Sequence, residues 1–142
     1  MEDTWTPGRY ISMINRKCQL YLDRALARYG LGKGLYISLV EIAREEGINQ
    51  RTLSERIVLD EASVTRSVRK LAQRKFIEIL KDPDDSRINR LYLTSNGRHT
   101  LENVKAHLDQ WDSLAIAHFS AQEREYLVRL LRQMDSNLSA SK

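Results

Sequence analysis

At 142 residues the chain fits one domain or one subunit of an assembly, with 42% apolar residues for a core and 30% charged residues to cover it. No window approaches the ~18 uncharged apolar residues of a membrane span. The start, Met1-Glu2-Asp3-Thr4, lacks the runs of a signal peptide, and a single cysteine excludes an intrachain disulfide framework, so a cytoplasmic protein is expected. The net charge of +4 and the pI near 9.3 favour a polyanionic partner.

In chain order, the first predicted element runs from Pro7 to Tyr29. Its apolar residues include Tyr10, Ile11, Met13, Ile14, Cys18, Leu20, Leu22 and Leu26. They cover more than one helical stripe, so this helix is expected to pack against its own domain and against something else. Pro7 suits the first helical position and Gly30 the position after the end. Leu35, Leu39 and Ile42 mark a second helix ending before Gly47, and Leu53 and Ile57 a short third one within Asn49 to Ile57. A brief turn through Val58 and Leu59 leads to Asp60, whose side chain is suited to cap the next helix.

In that fourth helix Val64, Val68 and Leu71 recur at i, i+4, i+7 and define one apolar stripe. Off the stripe lie Ser63, Thr65, Arg66, Arg69, Lys70, Gln73 and Arg74. Between Ala62 and Lys75 there are five Lys or Arg and no acid. Two helices across a short turn form a helix-turn-helix. The period then becomes alternating, with Ile77 and Ile79 against Glu78, and Leu91 and Leu93 against Arg90 and Tyr92. Lys81-Asp82-Pro83-Asp84-Asp85-Ser86-Arg87 connects these runs as a charged β-hairpin tip. A basic helix followed by such a ribbon is the layout of a winged helix.

After Thr94, placed to cap, comes a long helix with Leu101, Val104, Leu108, Trp111, Ala115 and His118. Ser120-Ala121-Gln122-Glu123 reads as a capping box, followed by Leu127, Leu130, Leu131, Met134 and Leu138. Basic charge is concentrated on the winged helix: from Glu102 to Asp135 acids outnumber bases by six to four. The expected class is therefore mainly α with a small β-hairpin wing. The expected organisation is an N-terminal dimerisation helix (1–32), a DNA-binding core (33–98) and C-terminal dimerisation helices (99–142).

Leu53-Ser54-Glu55-Arg56, Asp60-x-x-Ser63-Val64-Thr65-Arg66, Asp82-Pro83-x-Asp85-Ser86-Arg87 and Leu93-Thr94-x-x-Gly97-Arg98 occur in that order. The ordered set resembles the signature of the multiple-antibiotic-resistance regulator (MarR) family of winged-helix transcription regulators. Two departures stand out. Relatives usually carry a small residue where this chain has Lys75, so the chain is expected to leave the helix without a left-handed cap. Many relatives open the wing with a basic pair where this chain has Ile79 and Leu80, so fewer phosphates should be met from that strand.

The expected function is sequence-specific binding of double-stranded DNA by a homodimer, most often as a repressor, on an inverted repeat whose half-sites lie ~34 Å apart. Ser63, Thr65, Arg66 and Arg69 project from the outer face near the helix start and are assigned to base edges, where arginine can grip guanine bidentately. Gln50, Thr52, Lys70 and Arg74 are assigned to phosphates, which position without specifying. The resemblance implies that Arg87 enters the minor groove and that Asp85 orients it or a neighbouring arginine by a charge-assisted bond. Many relatives also bind small aromatic acids in a crevice, which Arg16, Tyr21, Tyr36 and Trp111 would line here.

Each assignment has a plainer counterpart. Basic residues on a helix are usually a solvated face, and Asp85 with Arg87 can serve only as a surface pair in a turn. Some relatives sense peroxide through a cysteine near the start of the first helix. Cys18 is mid-helix on the apolar stripe and reads as a buried, inert thiol. His107 and His118, eleven residues apart and ~16 Å along one helix, cannot share an ion within a chain, so neither metal nor cofactor is expected. A winged helix used for protein contacts, or for non-specific nucleic-acid binding without an operator, is the alternative. An enzyme finds no support, since phosphate loops, metalloprotease motifs and nucleophile elbows are missing.

Overall fold

Three short helices and a small sheet form the centre of the first part of the chain. The computed structural model describes residues 6–141; the start Met1-Glu2-Asp3-Thr4, Trp5 and Lys142 lie outside the described residues. The elements are α1 (Pro7–Leu26), α2 (Leu35–Arg44), β1 (Ile48–Asn49), α3 (Gln50–Ile57), α4 (Glu61–Gln73), β2 (Ile77–Lys81), β3 (Asn89–Leu93), α5 (Ser95–Ala115) and α6 (Ala121–Ala140). Contacts divide the chain into two units, one up to Asp109 and one from Gln110 onward.

In the first unit α2, α3 and α4 pack on one another, and α2 also packs on β3. The apolar stripes meet here: Leu35, Leu39 and Ile42 from α2, Leu53 from α3, and Val64, Val68 and Leu71 from α4 are all buried. Each fully buried Leu or Ile contributes enough that truncation to Ala costs roughly 2–5 kcal/mol. Leu22 and Leu26 complete the core from α1, and Leu101 and Val104 from α5.

The sheet has three antiparallel strands in the order β1-β3-β2, not the two of a simple hairpin. Ile48 pairs with Leu91 across β1 and β3, while Ile77 pairs with Leu93 and Ile79 with Leu91 across β2 and β3. A two-residue strand is too short to show an alternating pattern, which is why the sequence hides β1. Ile77 is buried, but Ile79 is partly exposed on the free edge strand.

Helix ends follow the capping residues. The Asn49 side chain accepts from the Thr52 amide at 2.8 Å, and Asp60 Oδ1 from the Ser63 amide at 2.8 Å. The Thr94 hydroxyl accepts from the Gly97 amide at 3.0 Å, and Ser120 and Glu123 form the expected reciprocal box. α1 is regular only to Leu26 and continues as one 3-10 turn to Tyr29, with Gly30 left-handed at φ 75°.

Three expectations are corrected. Lys75 does take the left-handed conformation, with φ 60°. Its amide donates to the Ala72 carbonyl and the Phe76 amide to Leu71, both at 3.0 Å. That is the two-bond closure glycine usually provides, made here by a left-handed non-glycine residue as Phe76 turns inward and is buried. His118 lies past the end of α5 at φ 67°, so its spacing along a helix from His107 does not apply. Cys18 is half-buried rather than enclosed, because α1 keeps much of its apolar surface exposed: Tyr10, Ile11, Met13, Ile14 and Leu20 all remain accessible. In the expected turn after α3, Val58 takes the left-handed region at φ 55°, a rare place for a β-branched residue.

Gly97 explains one piece of the sequence signature. A Cβ there would stand 2.0 Å from the Phe76 carbonyl oxygen, so only glycine lets the start of α5 cross the α4–β2 junction this closely. In the second unit no residue of α6 is buried, and Tyr126, Leu130, Leu131 and Leu138 are all exposed. No helix among the described residues is long and apolar enough to cross a membrane.

Candidate nucleic-acid interface

Burying Val64, Val68 and Leu71 turns the opposite side of α4 outward. Arg66, Arg69 and Lys70 are exposed there, with Ser63 and Thr65 half-buried at the flanks. Two of the assigned hydroxyls are engaged within the helix. Ser63 Oγ donates to Asp60 Oδ2 at 2.6 Å and accepts from Arg66 Nη2 at 2.9 Å. Thr65 Oγ1 donates back to the Glu61 carbonyl at 2.8 Å. The Asp60 carboxyl is held below its ordinary range first by the Ser63 hydroxyl, then by the Ser63 amide, with the Arg66 charge a lesser cause. The chain Asp60–Ser63–Arg66 thus draws the arginine toward the helix start.

Of the residues assigned to phosphates, Gln50 and Thr52 are half-buried on the first turn of α3, and Lys70 is exposed on α4. Arg74 has a different setting: its guanidinium donates to the Gly30 carbonyl, tying the end of α4 to the loop after α1. That tie spans residues far apart in sequence and has no local signature.

The wing tip is built around carboxylates. Asp85 receives Arg87 through two parallel bonds, from Nε at 3.0 Å and from Nη2 at 2.9 Å, and also accepts the Arg87 amide at 3.0 Å. The Arg87 side chain is nonetheless 89% exposed, so the pair holds a guanidinium outward without burying it. Asp82 shapes the turn by accepting the Asp84 amide at 2.8 Å and the Asp85 amide at 3.0 Å. Hydrogen bonds from Arg90 first, then from those amides, hold the Asp82 carboxyl below its ordinary value; the Arg87 side chain does the same for Asp85.

Sequence reasoning missed what fastens the wing. Arg90 donates to Asp82 Oδ2 at 2.7 Å and to the Gly47 carbonyl at 3.1 Å. Glu46 accepts the Leu93 amide at 2.8 Å and the Arg98 guanidinium at 2.9 and 3.0 Å. The Arg98 of the Gly-Arg motif is therefore a strut to the segment before α3. Arg56 of the Leu-Ser-Glu-Arg motif likewise binds Glu41 at 3.3 Å and also Glu45.

The residues assigned to a small-molecule crevice are scattered by comparison. Arg16 is exposed and Tyr21 and Tyr36 are half-buried; Trp111, also half-buried, belongs to the second unit. Burial, aided by the charges of Cys18 and Asp23, pushes the Tyr36 phenol up to about 12. A groove of about 780 Å³ in the first unit is lined by none of these four; its walls are the end of α1, the following loop and α4. Among the described residues no three or more His, Cys, Asp or Glu cluster as metal ligands. His107 instead meets Arg28 Nη2 at 3.3 Å and lies against the Tyr29 ring, 5.9 Å between centroids.

Comparison with known proteins gives a consistent result. The sequence model of the MarR family matches residues 36–89, which span α2 to the start of β3. The HTH-type transcriptional regulator BilQ of Clostridioides difficile (strain CD3) is 31% identical over 121 residues, covering 85% of this chain and 82% of the relative. The crystal structure of the transcriptional regulator SlyA superposes with a TM-score of 0.89 at 26% identity, covering 94% of each chain. A MarR-family regulator from Listeria monocytogenes, solved in complex with a 26mer DNA, has the same fold, with a TM-score of 0.92 at 20% identity over 97% of this chain and 92% of that one.

Proposed function

The chain belongs to the MarR family of transcriptional regulators, which are not enzymes, and we propose that it acts as a homodimer that recognises an inverted-repeat operator in double-stranded DNA. The observation that carries this reading is the pairing of an exposed basic face on α4, free of acids from Ala62 onward, with a wing arginine held outward by Asp85. The helix fits the major groove, and Arg87 the more negative adjacent minor groove. Arg66 and Arg69 read base edges, joined by Ser63 and Thr65 once their hydroxyls exchange helix partners for bases. Gln50, Thr52, Lys70 and Arg74 meet phosphates.

The exposed apolar residues of α1 and α6 supply the surface for a second copy, with 1–32 and 99–142 as the dimerisation segments. A dimer sets two α4 helices one helical turn of DNA apart and gives the operator its two-fold symmetry. Bound at a promoter it acts as a repressor in the cytoplasm. A small aromatic effector near Tyr36, with Arg16, Tyr21 and Trp111 as further candidates, releases it by favouring a spacing of the two heads that does not fit DNA.

The test is binding of the purified protein to its own promoter-proximal DNA and to a scrambled duplex at two salt concentrations, with footprinting and sedimentation. Preference that survives higher salt, protection of an inverted repeat and a dimer mass support the reading. Equal binding that collapses with salt reflects counterion release alone and favours the alternative of a non-specific or protein-contact module.

A further inference from the structure

We propose that the groove between the end of α1 and α4 seats the DNA phosphate backbone, with Lys33 and Arg24 as phosphate-binding residues outside the helix-turn-helix and the wing. The inference rests on the DNA-binding reading above and extends its footprint.

The groove has one wall on α4, where Ser63, Arg66, Ser67, Lys70 and Arg74 follow one another along a single flank. The facing wall comes from Asp23 and Arg24 on α1, Ala27 on the turn after it, and Gly30, Gly32, Lys33 and Leu35 beyond. Five of its lining residues are cationic (Arg24, Lys33, Arg66, Lys70, Arg74) against one acid, Asp23, whose Oδ1 already accepts the Gly34 amide at 3.2 Å. Concave protein walls of one sign concentrate potential, so an anion is the natural occupant.

The arrangement suits a polyanion rather than a single small anion. Arg66 to Arg74 extends ~12 Å along the helix axis, long enough for the flank to meet more than one phosphate of a strand. Arg66 and Lys70 also belong to the outward face of α4, so a strand bordering the major groove that α4 occupies passes directly along this wall.

The loop that presents Lys33 is fixed on both sides. The Gly30 amide donates to Ala27 at 2.9 Å, Leu31 to Leu26 at 3.2 Å, and Arg74 holds the Gly30 carbonyl. Between Gly32 and Gly34, Lys33 itself takes φ 58°, where glycine would be less strained. The loop thus holds an exposed charge on the groove rim at a position where local conformation favours having no side chain.

The experiment uses the full chain with Lys33→Gly and Arg24→Gln, measuring dissociation constants on promoter-proximal and scrambled duplexes across a salt series, together with thermal unfolding. Each variant is expected to lower the slope of log affinity against log salt by about 0.9, and to weaken both duplexes alike. Lys33→Gly, which relieves strain, should unfold at the same or a higher temperature, so its weaker binding cannot be misfolding. Unchanged slopes in both variants, with wild-type binding intact, overturn the inference and leave the regulator reading standing. Inorganic phosphate that competes beyond an equal ionic strength of chloride, and does so less in Lys33→Gly, would assign the groove to a free anion and also overturn it. Failure of the wild type to bind any duplex would remove the regulator reading and this extension together.

Discussion

Arg90 joins Asp82 to the Gly47 carbonyl, with its Nε 2.7 Å from the carboxylate and its Nη1 3.1 Å from the carbonyl. The wing turn is thereby anchored to the chain entering α3, and Asp82 in turn fixes the adjacent Asp84 and Asp85 amides of the tip. Arg90→Ala should leave the fold intact but let the tip reorient. Two readouts follow. Asp82 should titrate below its ordinary 3.8 in the wild type and move back toward it in the variant. The sign is that of a depressed carboxyl: its contribution is full above the unfolded value and is lost as pH falls through the folded one. In DNA binding, Arg87→Ala should lower the salt slope by about one because a cation is lost, whereas Arg90→Ala and Asp85→Asn should weaken affinity with the slope retained. Identical slopes in all three would refute a positioning role for Arg90.

Recognition and positioning separate on α4. Arg66 lies near the helix start beside Ser63, whereas Lys70 lies one turn further on. Arg66→Ala should weaken operator binding by about 1–3 kcal/mol and relax sequence preference, while Lys70→Ala should weaken all duplexes equally and reduce the salt slope by about one. Measuring each variant on operator and scrambled DNA decides the matter. Equal loss of preference in both would end the division of labour.

What the sequence made legible was whatever depends on near neighbours. The stripes Leu35/Leu39/Ile42 and Val64/Val68/Leu71, the caps at Asp60, Thr94 and Ser120, and the Asp85–Arg87 pair are separated by at most a few residues, and each appears as expected. What was hidden depends on distant partners. β1 exists because β3 lies beside it, Arg74 is drawn to Gly30, and Arg98 to Glu46. Cys18 was read as enclosed because an apolar stripe does not say which of its neighbours lie within the same chain.

Lys75 offers a test of stored strain. A left-handed non-glycine residue costs on the order of 1–2 kcal/mol, and glycine's freer unfolded chain offsets about 0.5–1 kcal/mol of any relief. Lys75→Gly should therefore stabilise the protein by roughly 0.5–1 kcal/mol, read as a higher denaturant midpoint at unchanged slope. Lys75→Val, a β-branched residue at the same φ of 60°, should destabilise it. If the two variants do not differ in midpoint, the left-handed closure at Lys75 does not survive in solution.

Tyr36 is separated from the other tyrosines by its surroundings. Burial is the main reason its phenol is pushed from 10.0 up to about 12, with the charges of Cys18 and Asp23 adding in the same direction. A phenol raised in the folded state contributes stability that is fully present below pH 10.0 and is lost as pH rises through about 12. In an alkaline absorbance titration, the wild type minus Tyr36→Phe difference should show one tyrosine of the six ionising near 12. Cys18→Ala should lower that midpoint without returning it to 10.0, because burial remains. A difference curve centred at 10.0 would mean that the Tyr36 hydroxyl is solvated, and would refute its burial.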